Sequence, residues 1–343
     1  MLYLFIGISL FLLGVFVRKK AQKSTLKIVI FALSVLDGLR EKTGTDWNVY
    51  YLHFNHRDDY SGTWSIGYES TVNLFSAISN YNFFLFCISL TYYYANYYFA
   101  VKITKKPLLA FSILYIYSIQ LLGSNRQMLA TVFVMLVFAG VFISKYNSHY
   151  LKNIIGVIFF HPFVLLPIIG SYLIKETRKF YFLLSLPIII LLAYSLFNYF
   201  GDFLSLINFG YINNDETYDL NIYLFIVKMF FIPLTFKLSF QRINMDRELN
   251  LNFSIAWRMY WFFLIIYIIG HLTHPVIIGR FEFFFFAIPV SILASNIKKL
   301  TYLQVLLLAT FFAYKIISLP YLDLFEYANI FSDQSYLDRK VVY

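Results

Sequence analysis

Four basic residues are expected at or inside the outer halves of different apolar stretches, in a chain that otherwise keeps its charges well apart: Arg40, Arg126, Lys228 and Arg280. An arginine toward the centre of a bilayer costs about 2.5–3.5 kcal/mol on insertion scales, so ionisable groups that recur at helix ends usually line a wet cavity. Guanidinium groups form paired hydrogen bonds to phosphate, and two or more of them could hold a pyrophosphate and stabilise it as a leaving group. The alternative is that each arginine extends to the membrane interface or pairs with a local acid, as Arg280 would with Glu282.

Three acids are expected at the same depth as these cations: Asp46, Glu69 and Glu282. One of them could take the proton from an attacking hydroxyl as a general base, which requires hydrogen-bond reach and a suitable pKa. Asp46 is the first choice for this role. The alternative is that the acids only position the arginines.

The histidines provide three more candidates, as bases, phosphate donors or metal ligands: His161, His271 and His274. No compact ligand motif such as HExxH accompanies them, so we expect neither a metal nor another cofactor. A histidine beside a proline, as His161 is beside Pro162, often only satisfies the backbone at a helix break.

Two further side chains are candidate contacts to a substrate. Gln127 follows Arg126 directly, and Tyr50 lies beside an acidic loop where an aromatic ring could stack on a sugar. No glycine-rich phosphate loop and no GxSxG motif occurs in a usable context, so nucleotide chemistry and serine hydrolysis have no support.

The composition indicates that these residues are carried by membrane helices. Sixty per cent of the 343 residues are hydrophobic and 13% are charged, whereas roughly 25% are charged in a soluble domain. The apolar stretches are roughly twenty residues long, which is enough to cross a hydrocarbon core of roughly 30 Å as a helix. The net charge of +10 comes from short clusters between these stretches, which indicates membrane orientation rather than nucleic-acid binding.

We therefore predict an all-α polytopic membrane protein with about 10 to 11 transmembrane helices, in a single transmembrane domain over residues 1–343. External loops are expected near 41–80 and 201–219, the first with a short interfacial helix around 68–78. The helices are expected near residues 2–17, 26–40, 81–101, 107–122, 128–144, 180–200, 220–237, 253–270, 276–296 and 301–318. Positive charges follow the first apolar stretch instead of preceding it, so a retained helix is expected there rather than a signal peptide.

Residues 151–174 allow two topologies, a single span or a re-entrant helical hairpin with His161 near its tip. The hairpin places the later lysine and arginine clusters on the cytoplasmic side, as the positive-inside rule requires. Non-helical backbone at membrane depth must be buried in protein or line a cavity. On this prediction His161 faces the same external cavity as Arg40 and Arg126.

Five short motifs carry a resemblance to a known family. They are GLR(x)3GTD(x)3Y at 38–50, Gly67-Tyr68-Glu69, NRQMLA at 125–130, FHPF at 160–163 and GRFEFFF at 279–285. In order and spacing, over nearly the whole chain, they resemble the Wzy-type O-antigen polymerases and EpsG-like polysaccharide polymerases.

The resemblance implies a GT-C-like glycosyltransferase at the outer, periplasmic face of the bacterial inner membrane. Such enzymes join lipid-linked oligosaccharide units of surface polysaccharides such as lipopolysaccharide, using a polyprenyl pyrophosphate carrier such as undecaprenyl pyrophosphate. Arg40, Arg126 and Arg280 match family arginines that would bind the pyrophosphate, and His161 matches its helix-break histidine. The family acids match Asp46, Glu69 and Glu282. The resemblance implies no metal, and a polysaccharide chain-length regulator is a candidate protein partner.

Two other membrane functions stay open from the residues alone. A lipid-linked oligosaccharide flippase would share the basic cavity, but it is expected to show two related halves, which the chain lacks. A membrane O-acyltransferase would need a histidine-centred site, which His161 could supply. A structural subunit without chemistry is a further alternative.

Overall fold

The computed structural model describes residues 2–44, 46–56, 64–143, 149–160, 167–168, 252–262, 282–296, 300–317 and 328–329. The chain forms two compact units, one of Met1–Ile169 with Leu300–Tyr343 and one of Gly170–Lys299. The described part is mostly helical, as predicted. Among the described residues, no helix combines the length and the apolar character that crossing a membrane demands.

The elements follow one another in this order: α1 (Leu2–Phe16), α2 (Lys19–Gly38), β1 (Arg40–Glu41), α3 (Trp47–Asn55), α4 (Ile66–Ile78), α5 (Tyr81–Ile103), α6 (Pro107–Ser118), α7 (Asn125–Ile143), α8 (His149–Phe160), α9 (residues 252–262), α10 (Ile288–Asn296), α11 (Tyr302–Ile317) and β2 (Ala328–Asn329). A 3-10 turn, Ile119–Leu121, extends α6, and a π-helix, Phe283–Ala287, leads into α10.

Helix α6 lies at the centre of the first unit, because every one of its residues is buried. It begins with Pro107, which suits a first helical turn because proline lacks the N–H that would have no partner there. Helix α1 packs on it so closely that a Cβ added to Gly14 would lie 2.5 Å from the Cα of Leu109. Helix α5 packs against α2, α6 and α7, and α1 also contacts α11.

The side chain of Gln22 links α1, α2 and α6 at one end of this bundle. Its Nε2 donates to the carbonyl oxygens of Gly14 and Val17, each at 3.0 Å. Its Oε1 accepts a hydrogen bond from the backbone N–H of Leu108 at 3.3 Å. Because Gln22 is buried, these bonds satisfy backbone groups at the helix ends that water does not reach.

Two predicted boundaries were wrong. The second helix begins at Lys19 rather than near residue 26, because lysine is a good helix former and Lys19, Lys20, Lys23 and Lys27 lie on its exposed side. The loop predicted at 41–80 holds two helices, α3 and α4, instead of one near 68–78. The tip predicted at His161 and the helices predicted near 180–200 and 220–237 lie outside the described residues.

Strands β1 and β2 form an antiparallel ladder in which Arg40 pairs with Asn329 and Glu41 pairs with Ala328. It is the only strand pairing among the residues that the structure describes. The segment that carries the first candidate arginine is therefore bound, through its backbone, by a segment from the other end of the chain.

Candidate functional site

Two glycines bring the loop between β1 and α3 onto the turn between α6 and α7. Gly44 has a φ of +102° and Gly123 a φ of +98°, which residues with a Cβ rarely adopt. A Cβ on Gly44 would lie 2.1 Å from the carbonyl oxygen of Leu122, and one on Gly123 would lie 3.0 Å from the carbonyl carbon of Gly44. The two backbones therefore touch with no side chain between them, and Arg40 and Asp46 come to lie beside the start of α7.

The carboxylate of Asp46 is bound from that turn. Its Oδ2 accepts a hydrogen bond from the hydroxyl of Ser124 at 2.6 Å. Asp46 is the residue before the first turn of α3, yet its side chain makes no capping bond to that helix. The carboxylate is partly buried and is oriented by a residue two positions before Arg126.

Arg40 is a fully buried cation, with none of its surface exposed. Its Nη2 donates to the side-chain oxygen of Asn125 at 3.4 Å, and the amide nitrogen of Asn125 donates to the hydroxyl of Tyr81 at 3.0 Å. The Nε and Nη1 of Arg40 have no hydrogen-bond partner among the described residues. Buried polar groups nearly always have a partner, so these N–H groups are candidate donors to a ligand.

Glu41, the acid next to Arg40 in the chain, is bound by Asn82 rather than by Arg40. Asn82 donates to Oε1 of Glu41 at 3.0 Å and to the carbonyl oxygen of Gly38 at 3.1 Å. Burial raises the pKa of Glu41 above its ordinary value, while the bond from Asn82 and the charge of Lys42 act in the opposite direction. Asn82 thus connects the segment from Gly38 to Glu41 to α5 and donates a hydrogen bond to the Glu41 carboxylate.

Arg126 lies in the first turn of α7, half-buried, with its guanidinium carbon 5.2 Å from the centre of the Trp64 ring. A guanidinium over an indole face is a favourable cation–π arrangement. The backbone N–H of Trp64 donates to Oε1 of Glu69 at 3.3 Å. One residue therefore contacts both a candidate arginine and a candidate acid.

Aromatic rings surround Trp64. The ring of His53 stacks on it with centroids 5.0 Å apart, and that of Tyr50 lies at 4.9 Å. Tyr50 is only 4% exposed, and its ring also packs edge-on against Tyr68 at 5.3 Å. The exposed ring nearby is that of Tyr51, which stacks on Trp47 at 4.8 Å.

Two groups in this cluster are shifted toward their uncharged forms. Burial raises the pKa of Tyr68 well above its ordinary value, and Arg126 and the amide of Asn125 oppose that shift. Burial also lowers the pKa of His53 below its ordinary value, against the influence of the Glu69 carboxylate. Tyr68 is thus a neutral hydroxyl, and His53 resists protonation.

The end of α8 packs against the start of α4, the helix that carries Glu69. The hydroxyl of Ser65 donates to the carbonyl oxygen of Phe160 at 2.7 Å. A Cβ on Gly67 would lie 2.9 Å from the carbonyl oxygen of Phe159. Phe160 is the residue directly before His161, which itself lies outside the described residues.

Of the remaining candidates, two lie within the described residues and four lie outside them. Gln127 is buried in the first turn of α7. Glu282, in the second unit, is 3% exposed and directly precedes the π-helix Phe283–Ala287, a distortion that is often found at functional sites. Lys228, His271, His274 and Arg280 lie outside the described residues.

The sequence reasoning missed several residues of this cluster. It gave no role to Ser124, Asn125 or Trp64, although Asn125 begins the NRQMLA motif and Ser124 directly precedes it. It also missed His53, whose spacing of three residues from Tyr50 on α3 is the signal that could have found it. Within the described ranges, no group of three or more histidines, cysteines and acids is arranged to hold a metal ion.

The family model for EpsG matches residues 23–334, a range that contains every candidate residue named above. No curated protein and no solved structure matches the chain significantly.

Proposed function

The chain belongs to the EpsG family, and from that premise we propose that it is a membrane glycosyltransferase that polymerises lipid-linked oligosaccharide repeat units. A function of the polysaccharide polymerase type follows from the family. The finer proposal is that the growing glycan passes from its polyprenyl pyrophosphate carrier to the non-reducing end of a newly arrived lipid-linked unit. The products would be O-antigen or a similar surface polysaccharide.

The observation that supports this proposal most directly is the environment of Arg40. The guanidinium is fully buried, its one hydrogen bond goes to the neutral amide of Asn125, and two of its three nitrogens have no partner among the described residues. A buried N–H group that forms no hydrogen bond costs about 1–3 kcal/mol. A pyrophosphate oxygen would satisfy them, and its negative charge would be stabilised in a site that excludes water.

In the proposed reaction, a sugar hydroxyl of the acceptor attacks the anomeric carbon of the donor glycan. A new glycosidic C–O bond forms, the C–O bond to the pyrophosphate breaks, and its electron pair leaves with the polyprenyl pyrophosphate. The arginines stabilise that leaving charge, so neither a nucleotide nor a metal is required for activation. Positioning of the two lipid-linked substrates supplies much of the remaining rate enhancement.

The hydroxyl proton passes to a carboxylate acting as general base. Asp46 is the first candidate, because Ser124 orients its Oδ2 while the carboxylate remains partly exposed. Glu69 is the alternative, since it is oriented by the backbone N–H of Trp64. Roles in the reaction are proposed for His161 and Arg280 on the strength of the family motifs alone.

We further propose that the protein lies in the bacterial inner membrane as a polytopic, GT-C-like protein whose site faces the periplasm. The apolar composition and the low charged fraction support this location. The lipid carrier supports it as well, because a polyprenyl chain partitions into a bilayer. The partners are then the bilayer, lipid-linked oligosaccharides and, as a candidate, a chain-length regulator.

The test is a gel of surface polysaccharide from cells that lack the gene, complemented with wild type, Arg40→Gln or the control Arg18→Gln. Arg18 is exposed before α2, so its variant is expected to restore the full ladder. The proposal expects single repeat units without the gene and with Arg40→Gln. Absence of every repeat unit from the surface would support a flippase instead, and a full ladder that lacks only acyl groups would support an acyltransferase; either result overturns the proposal.

A further inference from the structure

Trp64 lies two residues before the start of α4 and contacts several side chains of the candidate site. The guanidinium carbon of Arg126 lies 5.2 Å from its ring centre. The rings of His53 and Tyr50 lie at 5.0 Å and 4.9 Å, and its backbone N–H donates to Glu69 at 3.3 Å. No motif of the sequence assigned a role to this tryptophan.

Arg126 is held by a cation–π contact with Trp64. A cation–π contact fixes the plane of a guanidinium without using any of its five N–H donors and without neutralising its charge. A carboxylate partner would do the opposite. Among the described residues Arg126 forms no ion pair, and its buried Nε has no hydrogen-bond partner. The guanidinium is therefore held in place while its donors remain available to a ligand.

Arg40 is held in a comparable way. Within the described part of the chain, its guanidinium forms one hydrogen bond, to the uncharged amide of Asn125, the neighbour of Arg126 in the chain. The hydrogen-bond partner of the Arg40 guanidinium is thus an amide oxygen, and the guanidinium of Arg126 rests on an indole face; the charge of Arg40 also interacts with the buried carboxylate of Asp37. Two guanidinium groups that each keep buried N–H donors without a hydrogen-bond partner among the described residues suit a ligand with more than one negative charge, such as a pyrophosphate.

Trp64 is itself held on several sides, which is what a support needs. Besides His53 and Tyr50, the ring of Tyr68 lies at 5.5 Å from it, and Tyr68 is fully buried. An anchored ring loses little freedom when a ligand binds, so the arginine on it is preorganised. The backbone bond to Glu69 adds the acid to the same rigid unit.

Resting on the proposed function, we propose that Trp64 is a positioning residue of the donor site, which presents the guanidinium of Arg126 to the pyrophosphate of the lipid-linked donor. Trp64 acts through Arg126 and need not touch the substrate. Its indole face is the working part, and its backbone N–H keeps Glu69 beside the arginine.

The test compares Trp64→Leu, which removes the aromatic face, with Trp64→Phe, which keeps a smaller one. Full-length purified protein in detergent is titrated with inorganic pyrophosphate and with a polyprenyl pyrophosphate, and the KM for the lipid-linked donor is measured separately from kcat. We expect Trp64→Leu to weaken both affinities and raise the KM about 10-fold, which corresponds to about 1.4 kcal/mol. Trp64→Phe should lose about threefold or less, and kcat should change less than KM in both variants.

A double-mutant cycle separates positioning from a general packing role. In an Arg126→Ala background, Trp64→Leu is expected to change the KM by less than about twofold, because the group through which it acts is absent. Tyr94→Leu, at an exposed ring on α5, controls for loss of an aromatic side chain. If Trp64→Leu does not fold, Trp64→Phe carries the same cycle, with a loss of about two- to threefold in the wild-type background and none in Arg126→Ala.

The outcomes distinguish this inference from the proposed function. Equal losses with and without Arg126 would assign Trp64 to packing and overturn the inference, as would wild-type affinity in Trp64→Leu. In both cases a wild-type protein that polymerises repeat units would leave the proposed function intact. Loss of the proposed function would instead be seen as a wild-type chain that neither forms polymer nor binds either pyrophosphate.

Discussion

Gly44→Ala should disturb the site without removing any of its chemical groups. The new Cβ would lie 2.1 Å from the carbonyl oxygen and 2.6 Å from the carbonyl carbon of Leu122. Both are backbone atoms, so no rotation of a side chain relieves the overlap, and the two loops must separate by more than 1 Å to restore ordinary contact. The φ of +102° adds strain for any residue with a Cβ. Together these terms lower the free energy of unfolding by about 2 to 5 kcal/mol.

The loss of activity should exceed the loss of folded protein. Gly44 lies between Arg40 and Asp46, so the separation moves a phosphate-binding candidate and the candidate base away from α7. A displacement of 1 Å in a catalytic arrangement can lower the rate by about 100-fold. We therefore expect kcat/KM for polymerisation to fall on the order of 100-fold, measured per folded protein after quantification in membranes and thermal unfolding in detergent.

Gly7→Ala is the matched control. A Cβ there meets side-chain atoms rather than backbone, Cγ1 of Ile116 at 3.1 Å and Cδ1 of Ile316 at 3.2 Å, and Gly7 lies within α1. The free energy of unfolding should change by about 1 kcal/mol or less, and the activity should be unchanged. Full activity per folded molecule in Gly44→Ala would refute the reasoning that the contact between the two glycine turns positions the site.

Three further perturbations test other parts of the cluster. Arg40→Lys keeps the charge but loses the planar fork, so polymer yield should fall about 10- to 100-fold, whereas Arg18→Lys at an exposed position should have no effect. Ser124→Ala removes the donor to the candidate base and should lower kcat about 10-fold or more, while Ser112→Ala, which only frees a helix carbonyl, should not. Burial holds the folded-state pKa of His53 below 6.5. Its contribution to the stability of the folded state is therefore complete above pH 6.5, and it is lost as the pH falls from that value through the lower folded-state pKa. Thermal unfolding from about pH 7.5 to about pH 5 should show this loss in wild type and a smaller one in His53→Phe.

The helical class and most helix positions in the first unit followed from the sequence because apolar stretches report burial directly. The start of α5, for example, was predicted at 81 and is set by Asn80, whose side chain accepts the backbone N–H of Phe83 at 2.9 Å. The start of α2 was missed because the lysines were interpreted as a charge cluster between two apolar stretches, although they are compatible with an exposed helical turn.

The site was less accessible to sequence reasoning, because its contacts join residues far apart in the chain. Nothing in the sequence identified Gly123 as the residue that the loop around Gly44 touches. Likewise, Trp64 stands alone in a polar stretch without periodic spacing, so its contact with Arg126 had no local signal. Residue types thus suggested the chemistry, and the tertiary structure shows which groups contact Arg40 and Arg126.

The ladder between β1 and β2 has a consequence for the order in which the protein is made. Its paired residues, Arg40 and Asn329, are about 290 positions apart. At synthesis rates of about 5–20 residues per second, the first strand waits on the order of 15 to 60 s before its partner leaves the ribosome. The helices around Arg40 can assemble during that time, but the strand that carries it is paired only after Asn329 has been synthesised. Nascent and prematurely terminated chains therefore lack the backbone contact that closes this part of the site.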